Sequence, residues 1–186
     1  MLRSARRSFV TNVTDTVRSH ARSAAIIDHS GTYSYQDVLN RARAVASELP
    51  AKVQQGDRLC FMVEPGIEFV STLWASWLRG LVAVPLCVKH PIDELSYIVD
   101  NSQPSCLYSS VQYHDALEAA SSGTEATHLS GMNESNESYT GCVWEKHQSA
   151  LMIYTSGTTG RPKGAVHTAS RFNLLVYRLS RMFLIV

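Results

Sequence analysis

A run of small, hydroxyl-bearing and basic residues follows an apolar stretch and has the chemistry to bind phosphate. It extends from Tyr154 to Gly164 and reads YTSGTTGRPKG. Glycines permit positive φ angles and a close approach of the backbone, so N–H groups can point at phosphate oxygens. A lysine adds a compact positive charge. The candidate phosphate-binding residues are Thr155, Ser156, Gly157, Thr158, Thr159, Gly160 and Lys163.

This run differs from the P-loop of nucleoside triphosphatases. The P-loop has the order G-x-x-x-x-G-K-[ST], and counted from Gly157 its second glycine is replaced here by Pro162 and its final hydroxyl by Gly164. A Gly/Ser/Thr cluster is also typical of flexible linkers. From composition alone, phosphate binding and a linker therefore both stay open.

The elements that must position the run alternate between strands and helices. Polar turn residues between β-prone runs predict a hairpin over 24–35, and Ser34 with Asp37 forms a capping-box signature that predicts a helix ending before Pro50. Apolar runs predict strands, and apolar residues at helical spacing predict helices between them. The predicted strands are 58–63, 81–86, 105–110 and 150–156, and the predicted helices are 67–80, 92–101 and 111–120.

This order predicts an α/β protein with an incomplete doubly wound sheet and flanking helices. Ligands of such sheets bind beyond the carboxyl ends of the strands, and the run at 154–164 follows a strand at that end. Trp74 and Trp77 lie on an apolar helix and are predicted to be core residues. The polar stretch 121–140 predicts a mobile loop, and an apolar helix is expected after the phosphate run.

Composition excludes several classes of function. The chain has 186 residues, 45% of them hydrophobic, and a net charge of +1, with no basic run interleaved with aromatic residues, so no nucleic-acid partner is predicted. No segment is long and apolar enough to predict a transmembrane span. Metal binding is not predicted either, because the cysteines form no CxxC pair and the histidines no i, i+4 pair. The residues considered were Cys60, Cys87, Cys106, Cys142, His90, His114, His128 and His147.

The two ends of the chain carry further signals. Residues 1–9 are rich in arginine and serine, which is typical of an organellar transit peptide, so the expected location is mitochondrial or cytoplasmic. The alternative is that valines from Val10 onward begin the first helix of the domain. At the other end, residues 182–186 are uniformly apolar, and if exposed they are expected to drive association.

The segment YTSGTTGRPKG resembles the phosphate-binding signature of the adenylate-forming superfamily, which includes acyl-CoA synthetases. Two further segments resemble the family in the same order: GTYSYQDVL, and the stretch from Trp74 to Leu107 in which a helix ending in Gly80 leads to a Val-Pro strand. The resemblance covers residues 10–168, and within the family the stretch from Val84 to Ser105 is most similar to malonyl-CoA synthetases.

This resemblance implies an acid–CoA ligase that uses ATP, Mg²⁺ and CoA and activates a carboxylic acid, such as malonate, through an acyl-adenylate. It implies that the seven candidate residues hold the β- and γ-phosphates. The family's adenine pocket, magnesium ligand and catalytic lysine lie beyond this signature, so no catalytic residue or metal ligand is expected here. One departure is Thr168-Ala169, where many members have Thr-His.

The sequence therefore predicts that residues 10–186 are a truncated N-terminal domain that is inactive alone. Two interpretations stay open. The chain is a fragment of an active ligase, or it is a non-catalytic product that binds nucleotide or pyrophosphate through residues 155–164.

Overall fold

The computed structural model describes residue 17 and residues 19–130, 147–155 and 160–171. Several sequence predictions lie wholly or partly outside these ranges. They include the targeting segment 1–9 and the alternative helix from Val10, residues 131–140 of the expected loop, the apolar helix expected after the phosphate run, and the apolar residues 182–186. Ser156, Gly157, Thr158 and Thr159 of the phosphate run also lie outside them.

The described chain begins with the predicted hairpin and capped helix. Strands β1 (Ala24–Asp28) and β2 (Gly31–Ser34) pair antiparallel. Helix α1 (Tyr35–Glu48) follows, and its capping box is formed as predicted. The Asp37 backbone N–H donates to Ser34 Oγ at 3.2 Å, and the Ser34 backbone N–H donates to Asp37 Oδ2 at 2.8 Å. Two of the otherwise unpaired donors at the helix start are thereby satisfied.

Among the described residues the main sheet has six strands, and three helical connections join the first four of them. The strands are β3 (Arg58–Met62), β4 (Val82–Pro85), β5 (Cys106–Ser109), β6 (Thr127–Ser130), β7 (Ser149–Thr155) and β8 (Lys163–Thr168). The helices are α2 (Ile67–Leu78), α3 (Ile92–Ser102) and α4 (His114–Ala120), the last preceded by a 3₁₀ turn (Val111–Tyr113).

The strand order is β6-β5-β3-β4-β7-β8, with parallel pairing from β6 to β7 and antiparallel pairing between β7 and β8. Two hydrophobic clusters cover the two faces of this sheet. One contains residues of α1 and α2, and the other contains residues of α3 and α4. The predicted α/β class with flanking helices is therefore confirmed.

The core includes both predicted tryptophans and two thiols. Trp77 is 4% exposed and its Nε1 donates to the Ala150 carbonyl at 2.9 Å, and Trp74 packs half-buried on the same cluster. Burial raises the pKa of the Cys60 and Cys106 thiols to about 12, so both stay protonated and unreactive. Cys87 is exposed, and Cys142 lies outside the described ranges.

The prediction of one loop over 121–140 is wrong for Thr127–Ser130, which form strand β6. This strand pairs parallel with β5 from Cys106↔Thr127 to Ser109↔Ser130. It is a short edge strand without alternating polarity, so its own residues give little signal. Its extended form depends on hydrogen bonds to β5, which the local sequence does not reveal.

Side chains from distant segments close three helix ends. Asp28 Oδ2 accepts from the Ile67 N–H, at the start of α2, at 2.9 Å. Arg58 donates to the carbonyls of Ser102 and Gln103 at the end of α3. Arg79 donates to three carbonyls at the end of α1, those of Ala46, Leu49 and Pro50, each at 2.9 Å. These contacts satisfy groups that a helix leaves unpaired.

Within the described ranges, no helix combines the length and apolar character needed to cross a membrane.

Candidate phosphate-binding site

Two of the predicted phosphate-binding residues face each other at the base of a hairpin. Strand β7 ends at Thr155, strand β8 begins at Lys163, and the two residues are register partners. Directly opposed residues in an antiparallel pair point to the same face, with Cβ atoms about 4.5–5.5 Å apart. Both residues are exposed. The structure therefore places a hydroxyl and an ammonium group side by side, where solvent can reach them.

The hairpin base lies at the edge of the sheet where ligands of this fold class bind. Strand β7 is parallel to β4, with Ala83 opposite Leu151, so its end at Thr155 points toward the carboxyl edge of the parallel strands. The prediction that this run follows a strand at that edge is confirmed. The sequence did not predict β8. Lys163 and Gly164 end the predicted phosphate run, residues 165–168 were assigned no element, and together these residues return along β7 as a strand.

Gly160 has the backbone conformation for which glycine was proposed. Its φ angle is 133°, which L-residues rarely adopt, while no atom of the described residues, chain neighbours aside, lies within 4 Å of the position that a Cβ would occupy. Backbone conformation, rather than lack of space, therefore favours glycine here. The remaining candidates, Ser156, Gly157, Thr158 and Thr159, lie outside the described residues.

Gly164 is a site residue whose role the sequence did not indicate. A Cβ at this position would lie 3.0 Å from Tyr154 Cζ and 3.3 Å from Met152 Sδ. Such contacts are too close, so glycine allows the Tyr154 ring to lie directly on strand β8. The signal available was the glycine of the PKG sequence, but its packing partner depends on the register of β7 and β8.

An open cleft of about 720 Å³ separates the hairpin from helix α3. The hairpin side contributes Gly160, Arg161 and Pro162, and α3 contributes a largely acidic face. The lining residues on α3 are Asp93, Glu94, Ser96, Tyr97 and Asp100. Asp93 is exposed, and Glu94 is half-buried with its carboxylate 3.5 Å from His90 Nδ1.

Two side-chain contacts cross from α3 to the hairpin. The Arg161 guanidinium lies over the Tyr97 ring, 5.2 Å from its centroid. The Tyr154 hydroxyl donates to Asn101 Oδ1 at 2.6 Å. Burial is the main cause that raises the pKa of Tyr154, so its phenol keeps the proton that it donates.

The described residues suit phosphate better than a protein-held metal ion. Lys163, Arg161 and the Thr155 hydroxyl can pair with phosphate oxygens. Among the residues that the structure describes, no three His, Cys, Asp or Glu side chains come together as metal ligands.

This α/β fold, with its hydroxyl and lysine at the carboxyl edge, defines a domain suited to binding a phosphorylated ligand. The family described as AMP-binding enzyme matches residues 13–183. The chain therefore belongs to the AMP-binding enzyme family.

Relatives within the family include malonate–CoA ligases. The chain is 32% identical over 161 residues to the mitochondrial malonate–CoA ligase ACSF3 of Xenopus laevis. The matched region is 77% of this chain and 28% of that protein. The corresponding human protein is 31% identical over 169 residues, covering 82% of the chain and 29% of that protein. The chain thus spans less than a third of the length of these relatives.

A solved structure agrees with this assignment. Apo MatB from Rhodopseudomonas palustris matches with a TM-score of 0.76 and 25% identity, over 93% of this chain and 36% of that chain. The shared fold extends over nearly the whole chain.

Proposed function

We propose that this chain supplies the phosphate-binding part of an ATP-dependent acid–CoA ligase. The observation that carries the proposal is the exposed pair Thr155 and Lys163, opposed at the hairpin base on the carboxyl edge of the sheet. Seven residues of the sequence, Ser156 to Pro162, connect the two, and they include two glycines and three hydroxyl side chains. A hairpin of this kind can surround a polyphosphate with N–H groups, hydroxyls and positive charge.

In the proposed reaction a carboxylate attacks the α-phosphorus of ATP, forming an acyl-adenylate and releasing pyrophosphate. The CoA thiol then displaces AMP from the acyl carbon. Lys163 and the Thr155 hydroxyl would hold the β- and γ-phosphates during the first step. Negative charge grows on these phosphates as the α–β bond breaks, and groups already directed at them stabilise the departing pyrophosphate.

The proposed acid is malonate or another short carboxylic acid, and the proposed location is mitochondrial. Both rest on the names of the relatives from Xenopus laevis and Homo sapiens, which are mitochondrial malonate–CoA ligases. Mg²⁺ and CoA are part of the proposal because the family is expected to use them. The described residues contain no cluster of three His, Cys, Asp or Glu side chains that could hold a metal ion.

A second function needs only the exposed hydroxyl and ammonium groups of Thr155 and Lys163. In it, the chain binds ATP or pyrophosphate through residues 155–164 without turnover. The two functions differ in one measurable property, because only the first releases pyrophosphate in response to an acid.

The test is pyrophosphate release by the purified chain with Mg-ATP, beside the binding of Mg-ATP measured by calorimetry. Malonate, acetate and a medium-chain fatty acid are compared as acids. Lys163→Ala removes a charged contact to phosphate, so we expect ATP affinity to fall about 10- to 100-fold. The matched control is Lys52→Ala, an exposed lysine in the turn that leads into β3, at the amino edge of the sheet.

Malonate-dependent release that falls in Lys163→Ala but not in Lys52→Ala supports the ligase. Binding without release supports the non-catalytic function. Equal ATP affinity in the wild-type chain and both variants would exclude Lys163 from the site and contradict both functions.

A further inference from the structure

We propose that helix α3 positions the phosphate-binding hairpin through Tyr97 and Asn101. The inference rests on the proposed function, since the hairpin is the candidate phosphate site. The two residues are four positions apart, and residues with this spacing lie on the same face of a helix. Through Asn101 that face contacts Tyr154 near the end of β7, and through Tyr97 it contacts Arg161, two residues before β8 begins.

The contact on the β7 side is a hydrogen bond next to Thr155. Tyr154 Oη donates to Asn101 Oδ1 at 2.6 Å, across 53 residues of sequence. Because Tyr154 directly precedes Thr155, this bond restrains the backbone that presents the Thr155 hydroxyl.

The contact on the β8 side is a cation–π interaction next to Lys163. The Arg161 guanidinium lies 5.2 Å from the centroid of the Tyr97 ring, within the range of a favourable interaction. Arg161 comes two residues before Lys163, so the contact restrains the chain as it enters β8.

Gly164 supports the contact on the β7 side. It is the register partner of Tyr154, and a Cβ at this position would lie only 3.0 Å from Cζ of the Tyr154 ring. The ring therefore lies on β8 while its hydroxyl reaches Asn101. Helix α3, the Tyr154 ring and strand β8 form one continuous stack beside the cleft.

This arrangement restrains the hairpin base before a ligand binds. A ligand that meets Thr155 and Lys163 already placed loses less conformational freedom, and its affinity is correspondingly higher. Tyr97 and Asn101 act through Arg161 and Tyr154 and are positioning residues.

The first test measures the dissociation constants of Mg-ATP and of inorganic pyrophosphate with the whole chain. We expect Tyr97→Leu and Asn101→Ala each to weaken both affinities about 3- to 10-fold. Tyr97→Phe keeps the ring and should retain wild-type affinity. Tyr154→Phe should match Asn101→Ala, and the double variant should be no weaker than either single variant, because all three remove the same hydrogen bond.

The second test is amide hydrogen exchange of the ligand-free chain. In Tyr97→Leu and Asn101→Ala we expect faster exchange in residues 151–155 and 160–168, with unchanged exchange in β3 and β5. Wild-type exchange combined with weaker binding would indicate direct contact with phosphate and contradict a positioning role. Faster exchange with unchanged affinity would also contradict it.

The outcomes separate this inference from the proposed function. A wild-type chain that binds neither Mg-ATP nor pyrophosphate would overturn the proposed function and this inference with it. A wild-type chain that binds both, with unchanged affinity in Tyr97→Leu and Asn101→Ala, would overturn only the role of α3.

Discussion

Asp28 shows how one half-buried carboxylate can connect two parts of the chain. Its Oδ1 accepts from the Ser30 N–H at 2.8 Å, which closes the turn between β1 and β2, and its Oδ2 accepts from the Ile67 N–H at the start of α2. The hydrogen bond from the Ser30 hydroxyl is the largest cause that lowers the pKa of Asp28 to about 2, and the bond from Ile67 comes next. The ionised form is therefore favoured in the folded state.

A pH-dependent loss of stability follows from this carboxylate. A group whose pKa is lower in the folded state stabilises the fold above its ordinary pKa and loses this effect as pH falls through the folded value. For Asp28 the window runs from its ordinary 3.8 down to about 2. We expect Asp28→Asn to lower the urea midpoint of unfolding at pH 7. The difference in midpoint between the variant and wild type should shrink as the pH falls through this window.

The measurement is urea unfolding at several pH values between 7 and 2. The matched control is Asp115→Asn, an exposed carboxylate in the first turn of α4. A constant difference between wild type and Asp28→Asn across this pH range would contradict the assignment.

At the scale of elements, the helices depend on caps supplied from other parts of the chain. Arg79 follows α2 in the sequence, yet it donates to three carbonyls at the end of α1. A cation at a helix C-terminus both pairs with these carbonyls and interacts favourably with the helix dipole. Arg79 therefore joins α1 to α2 at the point where both helices end.

Replacing Arg79 should loosen this junction. Arg79→Met keeps much of the aliphatic stem but removes the guanidinium N–H donors. The carbonyls of Ala46, Leu49 and Pro50 then lose the hydrogen bonds that Arg79 donates to them. We expect a loss of about 2–3 kcal/mol in the free energy of unfolding, the size of a charged hydrogen bond to a half-buried group. Urea denaturation measures it, with Lys52→Met as the control in the adjacent turn. A variant as stable as wild type would show that water replaces the guanidinium without cost.

The elements that the sequence predicted are those with strong local signals. The capping box of Ser34 and Asp37 and the apolar runs of β3, β4 and β5 were predicted because each depends on residues close in sequence. Strands β6 and β8 were missed because their conformation depends on a neighbouring strand. The same limit applies to the site. Lys163 and Thr155 were identified by residue type, whereas the contacts of Tyr97 and Asn101 arise from tertiary packing.

For the whole molecule, Trp77 connects the helical layer to the strand that leads to the site. It is 4% exposed on α2, and its indole N–H donates to the Ala150 carbonyl on β7. Ala150 and Leu151 belong to the same hydrophobic cluster as residues of α1, β3 and β5. Because one cluster includes both early and late parts of the chain, we expect them to unfold together.

Trp77→Phe tests this cooperativity. The variant leaves the buried Ala150 carbonyl without its partner and removes part of a buried side chain, so we expect a loss of about 2–4 kcal/mol. Unfolding followed by far-UV circular dichroism and by hydrogen exchange of β7 should shift together. Trp74→Phe, on the same helix and half-buried, should cost less. Loss of β7 protection without a change in the dichroism midpoint would show that this strand unfolds separately.

The antiparallel joining of β7 and β8 also bears on how the chain folds. These strands are neighbours in sequence, so their pairing is local and closes with a small loss of chain entropy. The pairing of β7 with β4, in contrast, brings together residues that are far apart in the sequence. The hydrogen bond from Gln148 Nε2 to the Gly80 carbonyl, for example, joins residues 68 positions apart. Contacts of high sequence separation form slowly. The hairpin that carries Thr155 and Lys163 can therefore form early, whereas its seating beside β4 is expected to be a late and slower event in folding.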